Sequence, residues 1–161
     1  MWLRMGALVC VVAGACADGA PPAPCSNVWT RPGFTLEVAA DTAFPDGEYA
    51  FTIELDGQSA TYPVSVANGW GECTAPGCAQ DTYEPGLLIA INGSDAYVED
   101  WNGRDDDQPS AGKVIVQLER GGWMMGAWRF FPIYQGVQAN GVGCGVTWFA
   151  TYDASVSAPA R

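Results

Sequence analysis

The sequence predicts an all-β protein, an antiparallel β-sandwich of Ig-like or prealbumin-like type with about seven to eight strands. Three observations carry this. Apolar residues after position 33 recur with a period of two. Glycine, proline, asparagine and aspartate punctuate the chain between these runs. No stretch after residue 20 repeats its apolar residues at helical spacing. A small β-barrel would use the same signals and is the second architecture considered.

Residues 34–40, FTLEVAA, alternate Phe34, Leu36 and Val38 against Thr35 and Glu37. Residues 49–55 place Tyr49, Phe51, Ile53 and Leu55 on one face. Asp56-Gly57 then supplies the positive-φ pair of a tight hairpin turn. The returning run, 59–66, contains Pro63, which cannot donate to a ladder and so predicts an edge strand. Residues 68–86 read as a long loop pinned by Cys73 and Cys78. Short strands are expected at 87–91 and 96–101, then an acidic loop over 102–112 and a strand at 113–119. Gly121-Gly122 turns the chain into 123–134, an aromatic strand bent at Gly126, and 145–152 closes the domain.

The first 16 residues read as a signal peptide: Arg4, an apolar run from Met5 to Ala13, then small residues. Two processing routes are open. Ala15-Cys16-Ala17 suits cleavage for free periplasmic release or secretion, while Ala13-Gly14-Ala15-Cys16 resembles the bacterial lipobox, with Ala13 at the usual leucine position. That resemblance implies lipid on Cys16, and Ala17 after it implies sorting to the outer membrane. Residues 17–33, rich in proline and alanine, form a tether and lead-in. The sandwich is expected over 34–153, with a flexible tail at 154–161.

Without Arg4 the chain keeps six basic residues against eighteen acidic ones, a net of −12. Such a surface repels nucleic acid. Of six cysteines, Cys10 lies in the signal peptide and Cys16 is either lipidated or removed, leaving four. An even number in an exported chain reads as two disulfides, with three connectivities open. The favoured one is Cys73–Cys78 with Cys25–Cys144.

Two segments also resemble a known group. Asp46-Gly47-Glu48-Tyr49 and its returning strand look like the hairpin of Ig-like and prealbumin-like domains. Residues 113–144, ending in Tyr134, Gln138, Asn140, Gly141 and Cys144, are similar to the ending of small exported bacterial lipoprotein domains of unknown function. The resemblance implies fold and compartment and no particular activity.

The chain has no histidine, which excludes Ser-His-Asp and Cys-His nucleophile systems and imidazole metal sites. Ser110-Ala111-Gly112-Lys113 matches Ser-x-x-Lys, but that chemistry needs both side chains on one helix face, and Pro109 and Gly112 place them in a loop. Glu99, Asp100, Asn102, Asp105, Asp106 and Asp107 have oxygen ligands that calcium accepts, with Arg104 interrupting the pattern; a solvated loop is the plainer reading. The glycine-rich 140–148 leads into a β pattern rather than a helix, so it is a stapled turn and not a phosphate loop. Trp70 and Trp101, in loops beside polar residues, are the candidates for stacking on a ligand, whereas Trp128 and Trp148 lie on strands and read as core.

The functional expectation is a non-catalytic cell-envelope module with a binding or structural role and no cofactor. Its partners would be the membrane, through its lipid, and an envelope protein or glycan. A carbohydrate-binding accessory domain is the alternative, and a small carboxylate-dependent hydrolase the distant one.

Overall fold

The structure, a computed structural model, describes residues 33–79, 86–100, 111–138 and 146–157. Ten strands run through them: β1 (Gly33–Ala40), β2 (Gly47–Leu55), β3 (Gln58–Val66), β4 (Trp70–Glu72), β5 (Leu87–Asn92), β6 (Asp95–Asp100), β7 (Val114–Arg120), β8 (Trp123–Phe130), β9 (Gln135–Val137) and β10 (Thr147–Val156). They form two sheets, one of six strands in the order β4-β5-β6-β1-β10-β9 and one of four in the order β3-β2-β7-β8. The chain is a β-sandwich.

The predicted alternation is what binds the sheets together. Phe34, Leu36 and Val38 of β1 are buried, as are Ile89 and Ile91 of β5 and Ala96 and Val98 of β6 in the same sheet. Phe51, Ile53, Val64, Val116 and Leu118 of the second sheet are buried too, and all belong to one cluster. Successive side chains on a strand point to opposite faces, so each strand gives one row to this core and one to solvent.

Turn chemistry acts where expected. Asp56 and Gly57 both take positive φ, as do Gly121 and Gly122, closing the β2–β3 and β7–β8 hairpins. Pro63 lies on β3, an edge strand of its sheet.

Several expectations are corrected. The strands number ten rather than seven or eight, because β4 and β9, three residues each, are too short to show a period. The 68–86 segment is not loop throughout: Asn68 and Gly69, both at positive φ, make a tight turn that carries the chain from β3 in one sheet to β4 in the other, with Ala67 and Trp70 exchanging backbone hydrogen bonds. The irregularity in β8 is a bulge at Met125, opposite the Leu118/Glu119 step, one residue before Gly126. The pairing is not wholly antiparallel, since β1 and β10 run parallel over eight residue pairs in the interior of the larger sheet. Among the described residues, strand pairing runs from Gly33 to Val156.

Leu118→Ala, at a position with 0% exposure, is expected to cost about 2–5 kcal/mol in urea unfolding. Gln117→Ala, on the opposite face, should cost less than about 0.5 kcal/mol.

Candidate functional site

One end of the sandwich gathers the starts of β2, β4 and β8 and the ends of β3, β7 and β10. Two open grooves lie there, and Glu48 lines both.

The first groove, about 450 Å³, is lined by Trp70, Glu48, Glu72, Ser65, Thr74 and Pro63. The Asn68-Gly69 turn delivers Trp70, which is 50% exposed. The floor is set by Gly71, where an added Cβ would lie 2.5 Å from the Ser65 carbonyl oxygen and 3.0 Å from Val66 Cγ2. Only glycine lets β4 pass so close to the end of β3. The Ser65 hydroxyl donates to Glu48 Oε1 at 2.7 Å, fixing one carboxylate against the groove wall. Just beyond Glu72, the Cys73–Cys78 disulfide closes a small loop. That loop lies along β5: the Cys73 amide donates to the Ile89 carbonyl and the Ala79 amide to the Leu87 carbonyl.

The second groove, about 530 Å³, is lined by Arg120, Gly121, Trp123, Met124, Met125 and Glu48, among others. Behind it stands a braced corner. The Tyr49 hydroxyl donates to the Pro45 carbonyl at 2.7 Å, in the manner of a tyrosine corner. Phe44 meets the Tyr49 ring edge-on, and the Arg120 guanidinium lies 5.7 Å from its centroid. Arg120 also donates to the Asp46 carbonyl at 3.0 Å. Burial raises the Tyr49 phenol above its ordinary pKa, partly offset by Arg120.

The opposite end holds a different cluster. The Asp56 carboxylate accepts the Gly112 and Lys113 amides, fixing the approach to β7. Asp100 is buried at the inner end of β6. The Tyr152 hydroxyl donates to the Phe131 carbonyl and accepts the Ile133 amide, while its ring stacks on Phe130. The Tyr134 hydroxyl reaches the Ala111 carbonyl at 3.4 Å. Burial first, then the carboxylates of Asp100 and Asp56, push its pKa up to about 12.

The sequence-predicted residues fare differently. Trp70 stands open in its groove, and Cys73–Cys78 is bonded. Trp101, Cys16, Cys25 and Cys144 lie outside the described residues, as do Ser110 and the acidic loop beyond Asp100. Lys113, the other half of Ser-x-x-Lys, pairs with Glu54 at 2.6 Å. Trp128 and Trp148 are half-buried, their rings over Gly126 and Gly136. Trp123, 82% exposed, was not foreseen as a surface ring. Its signal was its place directly after Gly121-Gly122, at a hairpin tip.

No family model matches the chain, and no curated protein and no solved structure does either.

The raised Tyr134 phenol ties stability to alkaline pH. Its neutral form is favoured in the folded state, so its contribution is fully present below the unfolded value of 10 and is lost as pH rises toward about 12. In an ultraviolet phenolate titration, Tyr134→Phe is expected to remove a late-ionising tyrosine. It should also flatten the fall in stability between those two pH values.

Proposed function

We propose that this chain is an exported module of the cell envelope, tethered through lipid on Cys16, that binds its target without catalysing a reaction. Its ligand is a glycan taken up on Trp70. The observation that carries this reading is the half-exposed Trp70 ring in a polar groove, with Glu48, Glu72, Ser65 and Thr74 around it.

A sugar ring has an apolar face of C–H bonds and a rim of hydroxyls. Tryptophan offers a flat apolar surface for the first. Carboxylates accept from hydroxyls, and serine and threonine both donate and accept. Placed polar groups of this kind fix a ligand's orientation. The Asn68-Gly69 turn, closed by the Ala67–Trp70 bridge, presents the ring without a large loop-ordering cost, which favours binding. The lack of histidine throughout the chain leaves such a groove without an imidazole base.

Titration of the protein with soluble cell-wall and plant polysaccharides is expected to change tryptophan fluorescence and to release heat. Trp70→Ala should weaken binding by at least about tenfold while leaving the circular dichroism spectrum intact; binding unaffected by Trp70→Ala would remove Trp70 from the site. The anchor has its own test. A fatty-acid probe should label the expressed chain, and Cys16→Ser should abolish labelling and release the protein from membranes.

A further inference from the structure

We propose that the free edge of β8 is a self-association surface on which a second copy of this chain pairs in antiparallel register, joining two four-stranded sheets into one of eight. The proposal does not depend on the glycan reading.

Among the described residues, four strand edges end the two sheets: β4, β9, β3 and β8. An unpaired edge is a row of backbone donors and acceptors ready to template another strand, and proteins blunt such edges by brevity, proline or charge. β4 and β9 are three residues long, and β3 carries Pro63. β8 is eight residues long, has no proline, and its single charge is Arg129. A bulge at Met125 interrupts its first half, but Gly126 to Phe130 pair with β7 without a break. That stretch keeps a regular second edge.

Exposed apolar side chains gather on the same element. Six large hydrophobic residues stand out from the described surface, and four of them, Trp123, Met124, Phe131 and Ile133, lie on β8 or within three residues of its end. Two sit at each end of the strand. Antiparallel pairing of residues 126–130 with the same residues of a second copy sets Trp123 and Met124 of one beside Phe131 and Ile133 of the other. The two-fold then repeats the contact at the far end, as an isologous interface requires.

Charge restricts which edge a second copy can use. The chain carries a formal −11, so two copies repel over most of their surface. β8, like β3 and β9, has no carboxylate, and it alone of the four edge strands carries a cation, Arg129, so an approach along it adds no acidic pair to that repulsion.

Sedimentation equilibrium of the mature chain is expected to show a monomer–dimer equilibrium at micromolar to tens-of-micromolar concentration. The double variant Met124→Glu/Phe131→Glu, both positions more than half exposed, should weaken association by at least about tenfold with an unchanged circular dichroism spectrum. Trp70→Ala should still dimerise. A wild-type chain that stays monomeric, or a dimer indifferent to the double variant, would overturn the proposal. So would a monomer that dimerises only when residues 17–32 are deleted, since the edge would then be covered by the chain's own lead-in.

Discussion

Everything in this fold depends on burying two apolar sheet faces against each other. No single strand here has enough apolar surface to be stable alone, and each contributes one row of side chains. The rows that matter most lie on β1, β2 and β7, where Phe34, Leu36, Phe51, Val116 and Leu118 are almost fully removed from solvent. Burial of such side chains is worth about 1.5–3 kcal/mol each. The constraint also fixes register, because a slip by one residue would turn Phe51 and Ile53 out to water and bring Thr52 and Glu54 in. The parallel β1–β10 pair serves the same end. It brings the first and last described strands side by side in the interior of the larger sheet, so both ends of the described chain contribute to one core.

With the interior committed to packing, the aromatic residues left over collect where the sandwich cannot cover them, at hairpin tips and on an edge. Trp70 follows an Asn-Gly turn and Trp123 a Gly-Gly turn. Neither ring sits on a loose loop. One is delivered by a bridged turn into β4, whose Gly71 grazes the Ser65 carbonyl, the other by a strand end whose neighbour Arg120 is held by Asp46 and Tyr49. Rings exposed on rigid elements give up little entropy on meeting a partner. That physical property makes this end of the molecule the place to seek its function.

The local features of this arrangement were legible in the sequence and the long-range ones were not. The period of two identified β1, β2 and β7, and Asp56-Gly57, Gly121-Gly122 and Pro63 each marked the turn or edge that the structure contains. Asn68-Gly69 carried an equally strong hairpin signal, but only three strand residues follow it, too few to show alternation, so the segment read as loop. β9 escaped for the same reason. Nothing local encodes the β1–β10 pairing, which joins residues more than a hundred positions apart. Of the site, Trp70 could be picked out because polar residues surround it in sequence as they do in space. Trp123 was harder to place, because the apolar run after it reads as buried strand, which outweighed the Gly121-Gly122 turn before it, whereas it stands 82% exposed at the tip of the β7–β8 hairpin.

The same logic relates the two surfaces to one another. Glu48 belongs to both grooves, yet its carboxylate is tied to Ser65 on the Trp70 side, while the Trp123 side is bounded by Arg120 and two methionines. The first groove therefore presents acceptors and hydroxyls around one ring, a lining suited to a hydroxyl-rich ligand that arrives and leaves. The second presents thioethers and an indole beside β8, which ends its sheet among the described residues, a lining suited to another polypeptide surface. Sheet order keeps them apart: β3 and β8 are opposite edges of the four-stranded sheet, with β2 and β7 between them. A copy docked along β8 thus leaves the face between β3 and β4 open to solvent. Pairing through β8 would then display two Trp70 grooves on one particle, so that two weak sugar contacts on the same polymer act together.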